Sequence, residues 1–130
     1  MANANIQITL HTADMLGGMP SYEPGGVVQG TVHVTPQEDI KCNHLWVRLW
    51  WHTEGRGTRA EKVIEQMDIA QGLLSAHRPI SRSFSFDVPR EPWSYAGYYI
   101  NIVWEVKVTI DIPLASDVNQ SLPLVLAPRR

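Results

Sequence analysis

Strict alternation of apolar and polar residues, repeated along almost the whole chain, is the strongest constraint on how it can fold. Ile6, Ile8 and Leu10 alternate with Gln7 and Thr9. Val28, Gly30, Val32 and Val34 do the same across a stretch that stops at Pro36. Over residues 40–53, Leu45, Val47, Leu49 and Trp51 share one face of a strand, while His44, Trp46, Arg48, Trp50 and His52 share the other. Ile40 and Cys42 have the opposite parity from Leu45, which predicts a bulge near Asn43. Ile80, Phe84, Phe86 and Val88 mark a further run, ended by Pro89. The clearest run places Ile100, Ile102, Trp104, Val106, Val108 and Ile110 on one face.

Residues 59–68 are less one-sided. Val63, Glu65 and Met67 alternate, yet Glu61, Lys62, Glu65 and Gln66 are good helix formers, so residues 60–70 also read as a turn or two of helix. The uninterrupted β pattern on both sides favours a strand. Leu122, Leu124 and Leu126 form the last run, in which Pro123 predicts an edge strand. About seven strands joined by Gly- and Pro-rich turns predict an all-β fold, an antiparallel immunoglobulin-like β-sandwich. The 130 residues carry 44% hydrophobic and 18% charged side chains, the make-up of one globular domain spanning residues 1–130.

Several function classes drop out on simple grounds. A formal charge of −2 gives no electrostatic reason to bind nucleic acid. No stretch reaches the ~20 apolar residues that cross a bilayer, although contact with a membrane through a partner stays open. The start of the chain lacks the basic and apolar regions of a signal peptide, and the single Cys42 suits a reducing compartment, so a cytoplasmic location is expected. Nucleophile-elbow, phosphate-loop and zinc-protease motifs are all missing. His44 and His52 lie roughly 26 Å apart at strand rise and cannot share an ion. Acid/base pairs could in principle be drawn from Glu38, Asp39, Glu61, Glu65, Glu91 and Asp111, but sequence spacing alone cannot place two of them at the required separation. Cys42 sits among apolar strand positions, where a buried inert thiol is the ordinary reading. No catalytic residue, metal or cofactor is expected.

Two aromatic groups remain as binding candidates. Trp46, Arg48, Trp50 and His52 stand in a row about 6 to 7 Å apart along one strand face. Trp and Arg dominate protein interfaces, and an aromatic row can also stack on sugars or bases. The structural alternative is that residues 12–24 or the tail cover the row and complete the core. The second group, Trp93, Tyr95, Tyr98 and Tyr99, clusters around a turn-rich loop, as recognition surfaces often do.

The order of several segments resembles the N-terminal half of the arrestin superfamily, including its bacterial sporulation-control and retromer-associated branches. These segments are Tyr22-Glu23-Pro24-Gly25-Gly26-Val27-Val28-Gln29-Gly30, Ile40-Lys41-Cys42, Leu45-Trp46-Val47-Arg48-Leu49, Phe84-Ser85-Phe86-Asp87-Val88-Pro89, Ser94-Tyr95-Ala96-Gly97 and the run from Trp104 to Asp111. The resemblance spans roughly residues 5 to 126. It implies a non-enzymatic β-sandwich scaffold that binds another protein or, lacking the family's second sandwich, a second copy of itself. The first strand has no Lys or Arg in Asn5-Ile6-Gln7-Ile8-Thr9, so the phosphate sensing of receptor-binding members does not carry over. The expected function is therefore an interaction module using Trp46, Arg48, Trp50, His52, Trp93 and Tyr95. A carbohydrate-binding module built on the same exposed indoles is the alternative.

Overall fold

The computed structural model describes residues 3–11, 14–97 and 99–128. Strands dominate these residues, and none is helical. In chain order the strands are β1 (Ala4–Leu10), β2 (Met15–Leu16), β3 (Met19–Tyr22), β4 (Val27–Pro36), β5 (Ile40–Cys42), β6 (His44–Gly55), β7 (Glu61–Asp68), β8 (Gly72–Leu74), β9 (Ile80–Asp87), β10 (Tyr95–Ala96), β11 (Ile100–Asp111) and β12 (Val118–Leu126). One sheet has the order β1-β4-β9 and the other β2-β3-β12-β11-β6-β7, with β10 added to the start of β11. A small ribbon, β5-β8, completes the sandwich.

The alternating faces meet between the sheets. Val28, Val32, Val34, Phe84 and Phe86 come from the first sheet. Leu45, Val47, Leu49, Trp104, Val106, Val108 and Ile110 come from the second, and all twelve are buried. Sheets that pack face to face bury one side of each strand and solvate the other, which is why the period of two is so regular here.

The described residues form twelve strands where about seven were expected, and the extra ones are short. The breaker-rich stretch after β1 holds a hairpin. Gly17 and Gly18 both have positive φ, at 60° and 80°, so they form the two-residue turn between β2 and β3. The break in parity near Asn43 is a change of partner rather than a bulge. Ile40 and Cys42 are buried in the ribbon with β8, and the Asn43 amide then donates to the Asp111 carbonyl as the chain enters β6.

The bulge lies elsewhere. Leu49 pairs with Glu65 and Trp50 with Val63, so Ile64 is the extra residue on β7. Residues 61–68 are a strand and not a helix, because pairing with β6 outweighs the helix preference of their side chains. The expected edge strand also needs correction: β12 lies between β3 and β11. However, β3 pairs only with Val125 and Leu126, so the earlier part of β12 keeps one open side. Ala127 N–H donates to Tyr22 on the β3 side, and by alternation the Pro123 nitrogen faces that same side, where no donor is required.

Gly30 shows how tightly the first sheet closes. A Cβ there would lie 2.4 Å from the Thr9 carbonyl oxygen and 2.7 Å from the Phe84 ring. Gly30→Ala is expected to lower stability by about 1–3 kcal/mol, measured by urea unfolding. An unchanged midpoint would mean that β1 and Phe84 move aside without cost.

Candidate protein-docking surface

The outward side chains of β6 are set by its partner on one side. From His44 opposite Asp111 to Gly55 opposite Ile100, β6 and β11 pair without a register shift. His44, Trp46, Arg48, Trp50 and His52 therefore share a face, as expected, while Trp51 packs with Ile102 against the core. The expected exposure of the whole row is not found. Trp50 is only 7% exposed and His52 only 5%.

The cover comes from side chains on the same sheet face. The Lys107 ammonium lies 4.9 Å from the Trp50 ring, and His52 stacks on that ring at 4.7 Å. The Arg48 guanidinium lies 4.9 Å from the Trp46 ring, and His44 packs on Trp46 at 4.8 Å. Polar ends fix this order. Arg48 Nε donates to Gln66 Oε1 at 3.0 Å, and His52 Nε2 lies 2.9 Å from Glu54 Oε2.

Long charged side chains lay their alkyl stems across neighbouring indoles while their charged heads reach water. The row is thus a closed cross-strand ladder, and Trp50 and His52 are not free anchors. The carbohydrate reading loses its paired indole platform for the same reason. Trp50→Ala is expected to reduce stability by about 3 kcal/mol in chemical denaturation, with a smaller loss for the half-buried Trp46.

One carboxylate locks the end of the ladder. Asp68 accepts hydrogen bonds from Gln71 Nε2 at 2.7 Å and the Leu45 amide at 3.2 Å, and its Oδ2 lies 2.6 Å from His44 Nδ1. Burial raises its pKa, but the hydrogen bonds from Gln71, His44 and Leu45, with the His44 charge, outweigh burial and hold it below the ordinary carboxylate value. The resulting stability is present above the unfolded-state pKa of about 4 and is lost as pH falls through the lower folded-state value. Acid unfolding monitored by Trp fluorescence should show this loss. Asp68→Asn should flatten the acid slope and cost about 2 kcal/mol at neutral pH.

The loop after β9 behaves differently. Trp93 is 51% exposed and Tyr95 59%, so both sequence candidates on this loop stand in solvent. Tyr99 is exposed as well, with the Arg56 guanidinium 5.2 Å from its ring, whereas Tyr98 lies outside the described residues. The loop backbone is held firmly despite this exposure. Buried Trp104 donates from Nε1 to the Pro92 carbonyl at 2.9 Å, and Trp93 Nε1 donates to the Arg90 carbonyl at 3.0 Å. Ser94 N donates to the Leu126 carbonyl, and Leu126 N donates back to Ser94 Oγ.

Apolar grooves adjoin this loop. One, of about 370 Å³, is lined by Met19, Tyr95, Ile102, Val103, Pro123 and Val125 among others. A second, of about 420 Å³, runs past Pro92 and Trp93 and shares Tyr95 and Ile102 with the first. The β2–β3 hairpin brings exposed Met19 to the first groove, while exposed Met15 and Leu16 line a separate groove with Tyr22 and Pro128. Sequence reasoning missed these three residues, although apolar side chains flanking Gly17 and Gly18 are a sign of an apolar hairpin tip. Charged Glu23, Arg90 and Glu91 line a neighbouring groove beside Trp93. An apolar centre with a charged rim is the anatomy of a protein interface.

The described residues form no group of three or more His, Cys, Asp and Glu side chains placed to hold a metal ion. Burial, followed by the charges of Asp68 and Asp111, pushes the Cys42 thiol upward, against a smaller lowering from the Gly72 backbone. A thiol in such surroundings is a poor nucleophile. Among the described residues no helix is long and apolar enough to cross a membrane.

No model of a protein family matches the chain, and no curated protein matches it in sequence. Among solved structures it is similar to Spo0M, the sporulation control protein of Bacillus subtilis. The TM-score is 0.69 and the identity 18%, over 97% of this chain and 50% of that one. The fold is arrestin-like. This bears out the architecture implied by the segment order, and the chain spans about half the length of that relative.

Proposed function

We propose that the chain is a non-enzymatic adaptor module that docks another protein through the apolar surface centred on Trp93 and Tyr95. The observation that carries this reading is the pairing of two solvent-exposed aromatics with a backbone clamped by Trp104, Ser94 and Leu126. Rigid aromatic side chains lose little conformational entropy on binding, so less of the contact energy is lost in ordering them. The grooves beside Tyr95 give a partner's apolar side chains somewhere to enter. Arg90 and Glu91 at the rim add orientation more than strength. A cytoplasmic setting accords with an unpaired thiol at Cys42.

Trp46 and Arg48 have no docking part in this proposal, and Trp50 and His52 act by holding the sheet. The test uses immobilised chain to capture partners from an extract of its own cells. A partner retained by the unaltered protein and by Trp46→Ala should be lost from Trp93→Ala and Tyr95→Ala. Its measured affinity should fall by more than about tenfold for each loop variant, as expected for a central aromatic anchor. Equal capture by the loop variants, with their folding intact, would sink the proposal.

A further inference from the structure

The two principal sheets end in four edges, the early part of β12 adds a partly open side, and these are not equally protected. A strand edge presents unpaired backbone donors and acceptors, which natural proteins guard with charges, bulges, short length or cover. β7 carries Glu61, Lys62, Glu65 and Asp68 and is broken by the bulge at Ile64. β9 carries Arg82, and its Asp87 amide, which points away from β4, already donates to the Glu65 carboxylate. β2 is two residues long. β1 has no charge, no proline and no register shift against β4 in Ala4–Leu10, and among the described residues its outer side is flanked by β12 across a groove but not paired with it.

The direction of its backbone groups follows from the pairs at its two ends. Gln37 N–H donates to the Asn3 carbonyl and His11 N–H to the Gln29 carbonyl, so the odd-numbered residues between them face β4. The N–H and C=O groups of Ala4, Ile6, Ile8 and Leu10 therefore point to the open edge. A groove of about 380 Å³ runs along this edge between residues 6–9 and residues 120–122. Ile8 and Leu10 are only partly buried at this side of the core.

We propose that β1 is the dimerisation edge of this protein, pairing antiparallel with β1 of a second copy about a two-fold axis at Gln7. This inference does not depend on the loop surface. The strand is complementary to itself in that register. Ala4 meets Leu10 of the second copy and Ile6 meets Ile8, so four pairs with edge-directed backbone groups each exchange two hydrogen bonds. Residues opposite one another share a face, which keeps every Ile and Leu toward the core and Asn5, Gln7 and Thr9 toward solvent. A chargeless strand offers a foreign charged peptide no selective contact, while its own copy opposes it with no repulsion. The product is a continuous sheet of six strands whose outer edges are the guarded β9 strands, so association closes at two copies.

The test is a light-scattering mass measurement over a concentration series, from micromolar to hundreds of micromolar. The unaltered chain should reach twice the monomer mass, and exchange at the Ile6 and Ile8 amides should slow as the dimer forms. Gln7→Lys and Gln7→Glu each place like charges across the axis on an exposed position. Each should weaken dimerisation by more than about tenfold while leaving thermal unfolding of the monomer unchanged. Mixing the two variants should restore a heterodimer. Trp93→Ala should dimerise normally, which separates this interface from the loop surface. A monomer at every concentration would overturn the proposal, as would a dimer indifferent to both charges at position 7.

Discussion

The uninterrupted pairing of β6 with β11 is the constraint on which the rest of the molecule depends. Twelve residues of each strand run in one register, His44 to Gly55 against Ile100 to Asp111. A shift of one residue would send Leu45, Val47 and Leu49 to solvent and bring Arg48 into the core. The correct register places Trp104 opposite Trp51 and Val106 opposite Leu49, filling the space between the sheets. The same register places Glu105 opposite Trp50 and Lys107 opposite Arg48, which assembles the outer ladder. Core and ladder are two faces of one pairing, and neither can be altered independently of the other.

That dependence explains what could and could not be read from the sequence. The long strands were legible because each carries its own burial pattern, and the β-sandwich followed from their number and turns. The short strands β2, β5, β8 and β10 were not, since two or three residues contain too little of a period to show one. The position of the bulge was hidden for a related reason. It is a property of a pair, Leu49 with Glu65 followed by Trp50 with Val63, and no single run of residues records it.

The binding candidates divide along the same line. Parity correctly grouped Trp46, Arg48, Trp50 and His52 on one face, but the burial of Trp50 depends on Lys107, more than fifty positions along the chain. Alternation says which way a side chain points. It does not say how tall its cross-strand neighbours are. Trp93 and Tyr95 were legible as candidates because a turn-rich loop has few neighbours to build over its side chains; even in β10, Tyr95 pairs only with Ile102 at the start of β11. Met19 joins that surface through the pairing of β3 with the end of β12, a contact that nothing local announces.

The exposed loop is also less independent of the core than its position suggests. Trp104 is fully buried in the sandwich, yet its indole N–H is spent on the Pro92 carbonyl next to Trp93. Ser94 is tied in both directions to Leu126, itself buried at the end of β12. The loop therefore inherits the rigidity of the core through three hydrogen bonds, whereas a loop anchored only at its ends would have to be ordered by its partner at a cost in affinity. At position 104 a tryptophan does what a hydrocarbon side chain cannot. Its ring fills the core while its single donor reaches out to fix the surface.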